Sequence, residues 1–320
     1  AYAFYEYYFG KHRMLVHEGE VAGFKSLLVL CPDDNLGFFL SINCEPTFGK
    51  GAVLLYEAKI KLLNFFYPQD QDLSSLKPLV NSQLEKRELQ GYYRYSRYSH
   101  STISKLDMLF ADIRVKRIPK GLLLNDSQKY IEISPGVFES MSGNFNMRIT
   151  FDNKAETKFM FIGPRAFEKL KWYETKHVHT GLLVYCFLLF FLSPLFWFIQ
   201  FIIKRRREKI NLPKVIVKAR WVASIMGLIN IILLVILALY MSKFIRIGIV
   251  WHIPLIVKAA LVVVICVFIL TIVVVVYTIF VCKTKSETLV GKIHYILVAI
   301  AGTLFIWFLY YWNLLGFKFG

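Results

Sequence analysis

The stretch with the clearest potential for chemistry is His17-Glu18-Gly19-Glu20, which leads through Val21-Ala22-Gly23-Phe24 into an apolar hairpin. We predict that His17 ends a strand, with Gly19 two positions after it. An imidazole can donate a hydrogen bond, accept one or carry charge near neutral pH, and the sequence does not fix which. Alone, a His-x-Gly triplet is more often structural, with the histidine making a local hydrogen bond. The elements that follow the triplet therefore decide its interpretation.

Three strands and one helix are predicted around the triplet. The strands cover residues 12–17, 24–30 and 37–43, and the last two are joined by the turn Pro32-Asp33-Asp34-Asn35. Both of these strands carry apolar residues at odd and even positions, which is typical of strands covered on both faces. We therefore expect a sheet inside a layered α/β domain. A helix with a polar stripe of Glu57, Lys61 and Asn64 is predicted over residues 50–67, before Pro68.

In this order the elements resemble the C-terminal part of the serine β-lactamase-like family, which includes penicillin-binding proteins, class C β-lactamases and related esterases. The resemblance covers about residues 1–67 and rests on these segments: His17-Glu18-Gly19, Phe24-Lys25-Ser26-Leu27-Leu28, the acidic turn after Pro32, Ser41-Ile42-Asn43 and the helix over 50–67. It implies an α+β fragment of a β-lactamase-like domain over residues 1–68, built of antiparallel strands and a closing helix. In that family the His-x-Gly or Lys-Thr-Gly triplet forms one wall of the active site.

The resemblance also implies roles for His17, for Gly19 and for the residue after the triplet, Glu20. His17 would place a positive or hydrogen-bonding group beside the nucleophile and near a substrate carboxylate. Gly19 would let the substrate lie along the strand without meeting a side chain. The backbone N–H of Glu20 would be the second oxyanion donor. Small or hydroxyl residues are commoner than Glu20 at this fourth place, so Glu18 and Glu20 argue against a preference for an anionic substrate.

The motifs that would supply the nucleophile are expected outside this chain. In the family, Ser-x-x-Lys and Tyr-x-Asn both precede the triplet, and neither has room before His17. Ser74-Ser75-Leu76-Lys77 and Tyr311-Trp312-Asn313 match by residue type, but they lie in a polar linker over 69–88 and at a membrane boundary. The chain also begins, at Ala1, inside a strand-like aromatic run. We therefore expect a catalytically incomplete fragment that lacks an N-terminal part.

Residues 89–175 are predicted to form a small all-β module. Short alternating runs, such as 129–134 and 158–162, are separated by turn signals. A helix is predicted over residues 102–110, with Ser101 as its N-cap. The 130–138 run and Trp172-Tyr173-Glu174 are similar to the C-terminal extension of a bacterial, membrane-anchored subgroup of the same hydrolases.

Four apolar segments within residues 179–317 predict a transmembrane helix bundle. Each is long enough to cross a hydrocarbon core, which takes about 20 helical residues. The segments are 181–203, 219–241, 254–281 and 293–315. The first connection and its flanks carry eight lysines and arginines and the third carries three, so the positive-inside rule makes both cytoplasmic. We therefore expect a multi-pass protein of the plasma membrane, in contact with the lipid bilayer, with residues 1–180 outside the cytoplasm.

The net charge of +17 comes mainly from the same apolar half of the chain. Residues 181–320 contain 15 lysines and arginines but only two carboxylates, so the basicity belongs to the apolar half and no nucleic-acid partner is predicted. Arginines that alternate with tyrosines around Arg94 and Arg114 are interpreted as solvated strand faces. His177 and His179 have no cysteine or carboxylate at metal-ligand spacing, so neither a metal site nor a cofactor is predicted.

These observations favour the C-terminal portion of a membrane-anchored serine hydrolase that acts through an acyl-enzyme. Its substrates would be cell-wall peptides, β-lactams or small esters. Two alternatives remain open. One is a non-catalytic receptor or scaffold on a degenerate hydrolase fold, because four spans exceed what anchoring requires. The other is a small transporter, which the scarcity of charged residues inside the spans argues against.

Overall fold

The computed structural model describes most of the chain and divides it into two compact units. The residues described are 3–21, 23–43, 50–68, 79, 88–140, 148–152, 157–207, 213–247, 255–316 and 318. The first unit contains Ala1–Tyr98, Phe110–Thr175 and Phe244–Ile249. The second unit contains Ser99–Leu109, Lys176–Lys243 and Val250–Gly320.

The first unit begins with a four-stranded antiparallel sheet in which each strand pairs with the next along the chain. The strands are β1 (Tyr5–Phe9), β2 (His12–Val21), β3 (Phe24–Cys31) and β4 (Leu36–Asn43). A short 3₁₀ turn over Pro32–Asp34 joins β3 to β4 and ends at Asn35, whose φ of 51° is left-handed. Asparagine tolerates this conformation better than most residues, which agrees with the turn predicted here.

Helix α1 (Lys50–Phe66) covers one face of this sheet. Its Leu55 and Leu63 pack into a core with strand residues that all point to the same side: Tyr7, Phe9, Met14, Val16, Leu27, Val29 and Cys31. On the opposite face Phe24 and Phe39 are 52% and 62% exposed. The prediction that the sheet is covered on both faces is therefore wrong for the described residues. Alternate residues of a strand point to opposite faces, and the described chain supplies a helix to only one of them.

Eight further strands form a closed antiparallel barrel. They are β5 (Gly91–Tyr95), β6 (Ile113–Ile118), β7 (Gly121–Leu124), β8 (Gln128–Ser134), β9 (Val137–Ser140), β10 (Ile149–Phe151), β11 (Phe159–Ile162) and β12 (Arg165–Lys169). Each pairs with its neighbour in sequence, and β12 pairs with β5 to close the ring. Large side chains such as Tyr93, Phe138 and Phe151 fill the interior, as an eight-stranded barrel allows. The region is all-β as predicted, but its closure was not predicted.

The helix predicted over residues 102–110 is a 3₁₀ helix over Ile103–Met108. Thr102, not Ser101, occupies the N-cap position, and the backbone N–H of Thr102 is bonded to the Ser99 hydroxyl. This segment belongs to the second unit, where Ile103, Leu106 and Leu109 are part of the helical core. Its apolar spacing is therefore explained by packing against the long apolar helices of its own unit.

Four helices among the described residues are long and apolar enough to cross a membrane. They are α2 (Lys176–Arg207), α3 (Lys214–Ile247), α4 (Leu255–Lys283) and α5 (Leu289–Tyr311). All four predicted apolar segments therefore form helices. The last helix ends at Tyr311, four residues before the predicted end of its span. Asn313 has a left-handed φ of 58° and donates from its side chain to the carbonyls of His100 and Thr102.

Candidate functional site

His17 lies in the middle of β2, because the strand continues to Val21. The prediction that the strand ends at His17 is therefore wrong. The continuation has a simple cause, since β3 begins at Phe24 and offers a partner to every residue from Glu18 to Val21. His17 itself is paired with Leu28 and is exposed on the face of the sheet that α1 does not cover.

One edge of β2 has no partner strand from His17 onward among the described residues. Strand β1 pairs with β2 only as far as Tyr5, which faces Val16. Beyond that point, residues His17 to Val21 have β3 on one side and no described strand on the other. Alternate backbone N–H and C=O groups along such an edge are available to an extended ligand, which can add to the sheet as a further strand. The triplet therefore lies on the part of β2 whose edge is open within the described chain.

Three small residues, Gly19, Ser26 and Ser41, form a row across the uncovered face of the sheet, which we call the low strip. The partner of Gly19 on β3 is Ser26, and the partner of Ser26 on β4 is Ser41. A Cβ at Gly19 would collide with the Ser26 hydroxyl. Rows with larger side chains lie on either side of the strip, namely His17, Leu28 and Phe39 on one side and Val21, Phe24 and Asn43 on the other. Sequence reasoning missed Ser26 and Ser41 as part of this surface, although the two-residue period of each strand places them there.

The two carboxylates on either side of Gly19 are held by neighbouring side chains. The Tyr5 hydroxyl donates to Glu18 at 2.7 Å, and Lys25 forms an ion pair with Glu20. Burial, and then the Glu18 carboxylate, raise the pKa of the Tyr5 phenol above its usual value. Glu20 and Lys25 are also cross-strand partners, so the ion pair follows from the register. The local negative charge is therefore smaller than the sequence suggests.

The His17 ring has one backbone contact that orients it. Its Nδ1 lies 2.8 Å from the carbonyl oxygen of Ala3. A carbonyl only accepts, so in the neutral ring Nδ1 carries the hydrogen and Nε2 is the acceptor nitrogen. No hydrogen bond joins His17 to Ser26 within the described chain, so these two residues do not form a Ser–His pair there. The geometry instead suits a hydrogen-bonding group beside an open strand edge.

The other family motifs are not brought to this site. Ser74-Ser75-Leu76-Lys77 lies outside the described residues. Tyr311-Trp312-Asn313 belongs to the second unit, where it ends α5 and binds the segment that contains His100 and Thr102. Of these three motifs, the His17-Glu18-Gly19 triplet is the one that lies in a β-sheet of the described chain.

A second polar cluster, which sequence reasoning missed, lies at the other end of β2. The Tyr67 hydroxyl donates to Asp34 at 2.7 Å, and His12 Nδ1 lies 2.9 Å from the same carboxylate oxygen. The His12 and Tyr67 rings are in contact, with centroids 3.9 Å apart and planes tilted by 30°. These two hydrogen bonds lower the pKa of Asp34, while burial raises that of the nearby Cys31 thiol. Because Tyr67 directly follows α1 and is bonded to Asp34 in the turn after β3, we interpret the cluster as a set of contacts that holds the end of α1 to the sheet.

Lys59 is a buried cation on the sheet-facing side of α1. It is 1% exposed, and its ammonium lies 4.2 Å from the centroid of the Tyr7 ring and 4.8 Å from that of Tyr56. Burial lowers the pKa of Lys59 from 10.5 to about 8. Neither its ammonium nor the buried Tyr7 hydroxyl has a hydrogen-bond partner among the described residues. The predicted polar stripe of α1 is exposed as expected at Glu57 and Lys61, but Lys59 lies on the opposite side.

We expect Lys59→Met to stabilise the sheet and α1 at pH 7. A pKa lowered from 10.5 to about 8 corresponds to roughly 3 kcal/mol against folding, of which the two ring contacts offset about 1 kcal/mol. The gain should therefore be about 2 kcal/mol below pH 8. Between pH 8 and 10.5 the unfolded wild type binds more protons than the folded form, so its stability rises with pH and the gain should vanish. Hydrogen exchange of α1 amides across this pH range measures the effect. Lys61→Met, at an exposed site two residues along the same helix, is the control, and a loss of protection at pH 7 in Lys59→Met would contradict the prediction.

The arginines interpreted as solvated do not share one environment. Arg94 and its partner Asp112 are fully buried in the first unit, so the interpretation is wrong for Arg94. Arg114 and Lys116 are partly exposed and pair with Asp126, as expected for a strand face. His179 is also buried, in the second unit, where its Nδ1 accepts from the Trp312 indole at 3.2 Å. No group of three or more possible metal ligands occurs in the part of the chain that the structure describes.

Comparisons with protein-family models, curated proteins and solved structures find no match to this chain. The functional assignment therefore depends on the residues and geometry above.

Proposed function

We propose that this chain is the C-terminal portion of a membrane-anchored serine hydrolase of the β-lactamase and penicillin-binding-protein type. The observation that carries the proposal is the open edge of β2 from His17 to Val21, with Gly19 at its centre. A peptide-like substrate added along this edge would meet no side chain at Gly19. Its side chains would lie against the flanking rows, where Phe24 and Phe39 are exposed.

The reaction would be acyl transfer to a serine supplied from outside residues 1–320. The serine oxygen would attack an amide or ester carbonyl and pass its proton to a base, while the carbonyl oxygen gains negative charge. The backbone N–H of Glu20 would stabilise that charge as one of two donors. Collapse of the intermediate would release the amine or alcohol with a proton, and water would then hydrolyse the acyl-enzyme. In its protonated form, with Nδ1–H bonded to the Ala3 carbonyl, His17 would donate from Nε2 to a substrate carboxylate. The contacts of Glu18 and Glu20 with Tyr5 and Lys25 support this role by limiting repulsion.

The test is covalent labelling of the full-length protein with a fluorophosphonate and with a fluorescent penicillin. Gly19→Ala should slow labelling by both probes by about 100-fold, because a displacement of about 1 Å at the reacting centre has this effect. Gly37→Ala is the matched control, since it adds the same methyl group to the same face of the sheet. There the new Cβ would lie 3.1 Å from a movable Leu30 methyl, and labelling should be unchanged.

His17 can be tested separately, because only one of the two probes carries a carboxylate. Penicillin carries a carboxylate and the fluorophosphonate does not. His17→Ala should therefore reduce labelling by penicillin more than labelling by the fluorophosphonate. The absence of any covalent adduct with the wild-type full-length protein under native conditions would overturn the hydrolase proposal.

The second candidate function is a non-catalytic receptor or scaffold on the same fold. It is favoured by the second unit, in which four candidate spans and the Ser99–Leu109 segment build a core larger than a single anchor needs. This function would give saturable binding of cell-wall peptides without an adduct. With either function, we propose that residues 1–180 lie outside the plasma membrane, because the positive-inside rule makes the two basic connections cytoplasmic.

A further inference from the structure

One end of the helix bundle carries a cluster of exposed lysines. The last turns of α2, the first turns of α3 and the connection from α4 to α5 meet at this end, because Arg220 on α3 bonds both to Gln200 on α2 and to Glu287 in that connection. Four lysines near these contacts are exposed: Lys214, Lys218, Lys283 and Lys285. We call these four residues the basic end. The Lys204-Arg205-Arg206-Arg207 run at the end of α2 adds further positive charge in the sequence.

The carboxylate nearest to the basic end is not available to neutralise it. Glu287 is 6% exposed, and its Oε2 accepts from Arg220 at 3.0 Å. The same arginine donates to Gln200 at 2.8 Å, so the cation and the anion compensate each other inside the bundle. Glu208, the other acidic residue after residue 180, lies outside the described residues. None of the four lysines forms an ion pair within the described chain, and the basic end therefore presents uncompensated positive charge.

Apolar side chains alternate with these lysines on the same turns of helix. Val215 and Val217 are each 40% exposed and lie between Lys214 and Lys218. Beyond Lys285, Leu289 and Val290 are 73% and 63% exposed at the start of α5. A nucleic acid or an acidic protein would leave these apolar groups in water. The boundary between phospholipid headgroups and acyl chains accommodates both, because lysine stems lie along apolar surface while the ammonium groups reach the phosphates.

We propose that the basic end binds the phosphate groups of anionic phospholipids in the leaflet that surrounds it. The lysines supply the charge, and the exposed valines and leucine place that charge at headgroup depth. This inference does not depend on the hydrolase proposal, since it concerns residues of the second unit alone.

The test is thermal unfolding of the full chain reconstituted in phosphatidylcholine vesicles with increasing fractions of phosphatidylglycerol. Phosphatidylglycerol should raise the Tm of the helices by about 5 °C, because a ligand that binds only the folded state stabilises it. The variant with Lys214, Lys218, Lys283 and Lys285 all changed to Gln should lose most of this rise. High salt, about 0.5 M, should also reduce it, because the charges are exposed.

The control variant removes four exposed lysines from the first unit: Lys11, Lys120, Lys129 and Lys158, each changed to Gln. It has the same net charge as the test variant and should keep the full rise in Tm. Equal Tm values in pure phosphatidylcholine would confirm that the test variant is folded. An undiminished rise in the test variant would overturn the proposal. A rise in Tm of the same size on addition of inorganic phosphate or RNA to pure phosphatidylcholine vesicles would also overturn the proposal, because the ligand would then not be a lipid.

Discussion

Arg94→Met should destabilise the barrel by about 3–5 kcal/mol, the largest effect that we expect from a single substitution in the first unit. Both Arg94 and Asp112 have side chains that are 0% exposed. Arg94 Nε donates to Asp112 Oδ1 at 2.9 Å, and its Nη2 donates to the Glu174 carbonyl at 2.8 Å. Removing the guanidinium leaves a carboxylate and a carbonyl buried with fewer donors. Hydrogen exchange of the β5 and β6 amides, measured with increasing denaturant, gives the loss of stability directly.

The matched control for this substitution is Arg97→Met. Arg97 is the next arginine along the chain and is exposed, so its replacement should change stability by no more than about 0.5 kcal/mol. The double variant Arg94→Met/Asp112→Leu should recover most of the loss, because two apolar side chains leave no buried charge. If Arg94→Met costs no more than Arg97→Met, Asp112 has other donors that are sufficient to hold its charge.

The sequence predicted the elements that depend on local pattern. The four spans are visible because each is a long apolar run, and the hairpin of β3 and β4 follows from Pro32-Asp33-Asp34-Asn35 between two apolar stretches. Barrel closure could not be predicted in the same way. It requires β12 to pair with β5, about 70 residues earlier, and such a contact leaves no mark on either strand alone. Arg94 was misassigned for the same reason, since its buried partner Asp112 lies beyond a segment that belongs to the other unit.

The residues of the candidate site were chosen from the sequence, but its shape depends on non-local pairing. His17, Gly19 and Glu20 are on one strand because β2 continues past its predicted end at His17, and the open edge depends on where β1 ends, which Tyr5 and Val16 define together. The contacts of Glu18 with Tyr5 and of Glu20 with Lys25 likewise depend on register. Lys59 was not visible as a buried cation, because its position in the helical pattern lies beside charged residues that are exposed. In each case the missing information is which non-local neighbour a residue meets.

The two units differ in the kind of surface and contact that they contain. The first unit places a strand edge and a low strip of small residues on an uncovered sheet face, and this is the arrangement that a peptide-like ligand would use. In the second unit most serine and threonine hydroxyls bond to carbonyls of their own helix, as Ser193 does to Leu189, whereas Arg220 bonds to groups outside its own helix. Its buried ion pair is therefore expected to matter for assembly of the bundle, and substitution can measure this without reference to any ligand.

Arg220→Met should destabilise the helix bundle by about 3 kcal/mol, because it leaves Glu287 charged and buried. Arg220 bonds to Gln200 on α2 and to Glu287 just before α5, so its loss removes one contact at each of two helix connections. Glu287→Gln should cost less, about 1 kcal/mol, since a neutral amide can still accept from Arg220. The double variant Arg220→Met/Glu287→Leu should recover most of the stability, and Lys218→Met, exposed on the same helix, should have little effect. Unfolding in detergent without anionic lipid, followed by far-UV circular dichroism, measures all four. A double variant no more stable than Arg220→Met would show that the pair contributes more than the burial of its charges costs, and would contradict the prediction.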